Sequence, residues 1–202
     1  MRWPTPTLWS VFLARGALLV LLWIVVYGGA DFLAVQHAYR VRLHFDFELR
    51  IPLWPQFAAV YLSLFPMLWL SPFVLHEEGQ LRQFATSLGW LIAISGIGFV
   101  LIPSKPAYDT PVVTGRSQAV FGPADYLNLD FNMLPSLHVG MAVLCAATYS
   151  RGTGRTAMVC FWTWAITISA STLVTHQHHI ADVVTGAALA VCVNHVTARL
   201  YF

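Results

Sequence analysis

Six stretches of the chain are apolar for long enough to be read as membrane-crossing helices, each of which needs about 20 mostly apolar residues. They run from about Val11 to Ala30, Pro55 to Leu75, Phe84 to Ile102, Pro135 to Tyr149, Thr156 to Val174 and His179 to Thr197. The fourth is short. The polar connections between them are uneven. His76–Arg82, Ser150–Arg155 and Thr175–His178 are brief. Asp31–Trp54 mixes Asp31, Arg40, Arg42, Asp46, Glu48 and Arg50 with apolar residues, the pattern of an amphipathic segment lying in the membrane interface. Pro103–Leu134 is rich in Pro, Gly, Asn and Asp and is expected to be an irregular loop. With no internal repeat, the pattern predicts a single all-α domain over residues 1–202, a polytopic membrane protein with six transmembrane helices.

Composition supports this reading. Hydrophobic residues make up 57% of the chain, charged residues only 10%, and mean hydropathy is +0.65. A soluble domain carries about 25% charged residues. Eight Trp and thirteen Phe suit membrane interfaces. A net charge of +2 gives no basic field of the kind that binds nucleic acid. Cys145, Cys160 and Cys192 lie in apolar runs, without metal-ligand spacing or a disulfide framework, and are expected to be small buried side chains. Arg2, Arg15, the run Ala17–Tyr27 and the small residues Gly28-Gly29-Ala30 resemble a signal peptide, but a retained first helix suits the span count better.

Lys and Arg divide between the two faces as Arg2, Arg15, Arg82, Arg151, Arg155 and Arg199 against Arg40, Arg42, Arg50, Lys105 and Arg116. The second set sits in the long loops, where the positive-inside rule is weak, so both termini are expected inside. The expected setting is a bacterial inner membrane, with cytoplasmic termini and a site facing the periplasm. Pro103–Leu134 and Thr175–His178 then share the outer face.

Two clusters on that face carry chemistry. Asn132-Met133-Leu134-Pro135-Ser136-Leu137-His138 places Pro135 in the first turn of a helix, leaving the following backbone N–H groups free to meet an anion. Ser136 adds a hydroxyl donor, Asn132 a further polar contact to substrate, and His138 a proton to give or take. In His176-Gln177-His178-His179-Ile180-Ala181-Asp182, the spacing of His178 and Asp182 puts both on one helix face. Asp182 can then accept the Nδ1 proton of His178 and leave Nε2 as base or nucleophile. An ionisable residue at membrane depth is costly and points to function. Lys105 and Arg116 are candidate clamps for phosphate oxygens. The set suits phosphoryl transfer: His178 as nucleophile, Asp182 as its orienter, His138 as acid, and Ser136 with the N–H groups and Lys105 around the oxygens. A metal site built from His138, His176, His178, His179 and Asp182, or a transporter with pH-sensing histidines, are the competing readings.

The chain resembles the type-2 phosphatidic acid phosphatase superfamily, whose motifs are Lys-x6-Arg-Pro, Pro-Ser-Gly-His and Ser-Arg-x5-His-x3-Asp. Pro135-Ser136-Leu137-His138 matches the second; Ser171-Thr172, five residues, His178, three residues and Asp182 match the third. The resemblance runs from about Leu53 onward. Leu137 in place of Gly resembles the inositol phosphorylceramide synthase branch, and Thr172 stands where the family has Arg. If Lys105-Pro106 takes the place of Arg-Pro, Gly98 occupies the Lys position; if Lys105 is the Lys, Val112 and Val113 replace Arg-Pro. Either Arg116 compensates for the missing cations or the phosphate is less strongly neutralised. The resemblance implies a phosphohistidine intermediate, no cofactor or metal, and a lipid phosphate or phosphodiester substrate. Water as acceptor makes a phosphatase; an alcohol makes a head-group transferase.

Overall fold

A computed structural model describes residues 3–108, 112–127, 129 and 131–201, so Arg2 lies outside the described residues. Every regular element among them is helical. The first helix, α1, covers Pro6–Val35. The Thr5 hydroxyl accepts the Leu8 N–H at 3.2 Å and Pro6 fills the first turn, both ordinary helix-start devices. A π-helical turn at Ile24–Gly28 interrupts it.

The second apolar stretch is broken into α2 (Ala58–Leu62), α3 (Leu64–Trp69) and α4 (Ser71–Val74). Pro66 and Pro72 account for the breaks, because each lacks an N–H and its ring clashes with the preceding turn. Other helices supply donors to the interrupted backbone. Tyr149 Oη donates to the Met67 carbonyl at 2.9 Å and His138 Nε2 to that of Tyr61 at 2.8 Å.

A capping box between Glu77 and Gln80 opens α5 (Glu78–Leu101). The loop expected over Pro103–Leu134 contains a helix, α6 (Gln118–Leu127). Gly122-Pro123 hides it in the sequence. Burial of Phe121 and Ala124 beside Ala58 and Tyr61 holds it in place. Then come α7 (Leu137–Tyr149), α8 (Arg155–Val174) and α9 (Ile180–Tyr201). Segment 36–54 is mostly irregular, with one 3-10 turn at Glu48–Arg50.

The apolar stretches alternate in direction. At one end Val41 N–H binds the Pro103 carbonyl (2.8 Å), Trp54 N–H that of Val174 (2.8 Å) and Ser136 N–H that of Asp182 (3.0 Å). At the other end Gln83 Nε2 donates to Thr197 Oγ1 (3.2 Å) and Thr148 Oγ1 to Asn194 Oδ1 (3.4 Å). Four helices are long and apolar enough to cross a membrane: Pro6–Val35, Glu78–Leu101, Arg155–Val174 and Ile180–Tyr201. At about 1.5 Å per residue, α7 is roughly 20 Å long, short of the ~30 Å hydrocarbon core. It is the centre of the bundle, with Val139, Ala142, Leu144, Cys145, Ala146 and Tyr149 fully buried. Protein rather than lipid surrounds it, so its polar ends are tolerated. Cys145 is buried as expected, but Cys160 and Cys192 face outward from the bundle.

Candidate active site

The end of α8 sets up the turn that carries His178. Gln177 N–H binds the Thr172 carbonyl at 3.0 Å and His176 N–H that of Leu173 at 3.2 Å, the paired bonds of a Schellman motif. His176 takes the left-handed position, φ 60°, usually given to Gly. Its side chain explains the choice: Nε2 donates to the Ile51 carbonyl at 2.9 Å and the ring stacks on Tyr108 at 3.8 Å. The turn also brings His178 N–H to the Thr172 carbonyl at 3.2 Å. Thr172, at the position where the family motif has Arg, is therefore a buried backbone anchor for His178.

His178 and Asp182 meet as their spacing predicts, Nδ1 to Oδ2 at 3.4 Å, and both are buried. Asp182 Oδ2 also accepts the His179 N–H at 2.8 Å, so the same oxygen caps α9 and orients His178. No hydrogen bond among the described residues engages His178 Nε2. His178 and His138 both line an elongated cavity of about 580 Å³, together with Asn132, Leu137 and Tyr61.

The two motif clusters touch directly. Ser136 N–H binds the Asp182 carbonyl, and a Cβ on Gly186 would lie 2.3 Å from the Ser136 carbonyl oxygen. Only glycine permits that approach of α9 to the start of α7. Helix α7 begins later than the sequence suggests. Pro135, after a cis Leu134–Pro135 bond, precedes the helix rather than filling its first turn. Ser136 is the N-cap, its hydroxyl accepting Val139 N–H at 3.3 Å. Two of the N–H groups expected to face an anion, those of Ser136 and Val139, are thus engaged; those of Leu137 and His138 have no partner among the described residues.

His138 stacks on Tyr61 at 3.7 Å and uses Nε2 as donor to the Tyr61 carbonyl, which leaves Nδ1 for proton transfer. Asn132 Nδ2 donates to the Tyr27 carbonyl at 2.7 Å, while its Oδ1 has no partner among the described residues. Because a carbonyl can only accept, this contact fixes which end of the amide faces Tyr27. Lys105 and Arg116 are exposed, and no hydrogen bond or ion pair among the described residues joins either to His178. Gly98, one counterpart of the family's motif lysine, cannot hold a side chain: a Cβ there would lie 2.7 Å from Pro135 Cδ and 2.8 Å from the Leu134 carbonyl.

Glu48 is the residue the sequence reading missed. It is fully buried, far from any motif, and accepts three donors: Phe45 N–H at 3.0 Å, Ile180 N–H at 2.9 Å and His179 Nδ1 at 3.2 Å. His179 Nε2 accepts the Ala107 N–H at 3.1 Å, so the ring is neutral with its proton directed at Glu48. Desolvation lowers the His179 pKa against the pull of Asp182 and Glu48. Burial, with Glu48 and Asp182 nearby, pushes the Tyr108 phenol up to about 12. Only the acidic character of Glu48 in an apolar stretch hinted at a task. No group of three or more His, Cys, Asp or Glu side chains among the described residues is placed to hold a metal ion.

No curated protein sequence matches the chain. A family profile described as the PAP2 superfamily matches residues 42–195, which take in Glu48, both motif clusters and the helices that carry them. The chain belongs to the PAP2 superfamily, and with it to a family of phosphatases and phosphotransferases.

Proposed function

We propose that this chain is a membrane-embedded lipid phosphatase or phosphotransferase working through a phosphohistidine on His178. The observation that carries the reading is the unequal use of the His178 ring: Asp182 occupies Nδ1, and Nε2 is left free beside a cavity shared with His138. His178 Nε2 attacks phosphorus, the bond to the leaving alkoxide breaks, and His138, entering the step as an imidazolium with Nε2–H on the Tyr61 carbonyl, delivers its Nδ1 proton to that oxygen. In the second step water or an alcohol attacks, His138 Nδ1 takes its proton, and the P–N bond breaks. Asp182 stabilises the cationic ring throughout. No cofactor or metal enters the scheme.

The Leu137 and His138 N–H groups and the Ser136 hydroxyl hold the phosphoryl oxygens, aided by the dipole of α7. Lys105 and Arg116, exposed on the loops at this end, draw in the anionic head group. Asn132 Oδ1 can only accept, so it suits a hydroxyl of the substrate or acceptor better than a phosphate oxygen. Leu137 in the second motif supports the inositol phosphorylceramide synthase branch, where the acceptor is an alcohol. All six apolar segments cross the bilayer, segment 36–54 lies at the interface, and the site faces the periplasm of a bacterial inner membrane with both termini cytoplasmic. Their alternation supports the crossings, and Arg15, Arg82, Arg151, Arg155 and Arg199 in the short flanks at the opposite end support cytoplasmic termini.

The test is purified protein in detergent, given a panel of phosphorus-labelled lipid phosphates with and without alcohol acceptors. Acid-labile label on the protein, lost in His178→Ala, is expected. Full turnover in that variant would sink the mechanism.

A further inference from the structure

The cavity beneath His178 extends far beyond what a phosphate needs. It continues between α1 on one side and α3, α5 and α7 on the other. On α1 its lining reaches from Tyr27, level with Asn132, to Phe12. Those fifteen residue steps correspond to roughly 22 Å of helix. One leaflet of the hydrocarbon core is only about 15 Å deep. The walls are almost wholly apolar, with Leu19, Leu64, Leu68, Leu88 and Ile92 among them. At the far end Phe12 and Trp69 line it, their rings meeting edge-on at 5.4 Å. Leu13, Phe65 and Trp69, on its edges, are also exposed on the outside of the bundle, which gives a chain a lateral way in.

We infer that this groove is the binding site for one acyl or alkyl chain of the substrate, and that Phe12 and Trp69 form a floor that sets the longest chain accepted. The inference rests on the proposed attack of His178 on a lipid phosphate. Continuity decides the occupant: the groove begins at the catalytic histidines, and nothing polar interrupts it before Arg15. A chain anchored by its phosphate at His178 runs down along α1 and reaches the floor only when long enough. Gly16 sits beside that floor, and a Cβ added there meets nothing within 4 Å, so a larger side chain can enter the groove without disturbing the fold.

Two measurements test this with alkyl phosphates of increasing chain length. In the first, kcat/KM for the wild-type protein rises about fourfold per methylene, equivalent to about 0.8 kcal/mol, until the chain meets the floor. Gly16→Leu moves that ceiling to shorter chains and Phe12→Ala to longer ones, while turnover of a short water-soluble phosphate ester stays unchanged in both. An unshifted ceiling in both variants overturns the inference. In the second, an alkyl phosphate with a diazirine at its chain terminus is photolysed on the wild-type protein. Label on the peptides carrying Phe12–Gly16 or Phe65–Trp69 is expected; label elsewhere, or none, overturns the inference even if the enzyme is active. Labelling at the floor without phosphate release or transfer upholds the groove and sinks the chemistry assigned to His178, so the two failures are distinct.

Discussion

His178 and His179 are consecutive residues, both buried and both bonded through Nδ1 to a carboxylate, yet they differ in what remains free. The partner of His178 is Asp182, one helical turn away, and its Nε2 has no bond among the described residues. The partner of His179 is Glu48, 131 positions away in sequence, and its Nε2 is taken by Ala107 N–H. A histidine with one nitrogen held and one free is an oriented nucleophile or base. With both nitrogens held, it becomes a cross-link. Here it ties α9 to segment 36–54 and to the stretch that carries Lys105. The same kind of side-chain pair leaves a ring nitrogen open in one case and forms a tie between segments in the other, and the second ring nitrogen makes the difference.

The sharpest break of the comparison is to remove each ring in turn. His178→Ala should lower turnover by at least about a thousandfold while leaving the melting temperature in detergent nearly unchanged, as expected for loss of a nucleophile. His179→Ala should do the reverse: a clear loss of melting temperature, with activity per folded molecule reduced far less. Equal activity losses in the two would erase the distinction. Next in size is Asp182→Asn, whose amide oxygen can still accept the His179 N–H and preserve the cap. Turnover should fall about a hundredfold or more through loss of the charge and the tautomer it fixes, and circular dichroism should show the helices intact.

Glu48→Ala removes the acceptor of the buried His179 Nδ1 and of the part-buried Ile180 and Phe45 N–H groups, at about 1–3 kcal/mol for a donor that stays buried and unpaired. Thermal unfolding should show the loss, and Glu48→Gln should recover part of it. The smallest effect is on pH dependence. The folded state holds the His179 pKa below its ordinary value, so the unfolded chain binds the proton more readily. Stability is therefore full above about pH 6.5 and falls as the pH drops below it, by up to about 1.4 kcal/mol per pH unit. His179→Phe should flatten that part of the unfolding curve; an unchanged slope would assign the acid sensitivity to another group.

Much of the site was legible because it is local. The spacing of His178 and Asp182 is a helical period, and the structure closes that pair. Ser136 and His138 sit at the start of a helix, as their positions beside Pro135 suggested, although the helix starts one residue after the N-cap Ser136. Errors fell where tertiary packing overrides local pattern. Pro66 and Pro72 broke the second stretch into three helices; His138 and Tyr149 on α7 bond the broken backbone, and Trp164 on α8 donates to the Ser63 hydroxyl. Helix α6 exists because Ala58 and Tyr61 offer it an apolar bed. Lys105 and Arg116, proposed as clamps by residue type, are both exposed, and no bond among the described residues joins either to His178.

By itself the sequence determined the all-helical, membrane-seeking character of the chain, its PAP2 motifs and the His178–Asp182 pair. Each depends on composition or on a spacing shorter than one or two helical turns. Only the tertiary structure decided that Gly186 lets the two motifs touch, that Gly98 leaves no room for a lysine, that Glu48 belongs to the site, and that a long apolar groove ends on His178. Those outcomes depend on which distant backbones approach within van der Waals contact, and a one-dimensional pattern of apolar and polar residues does not encode that distance.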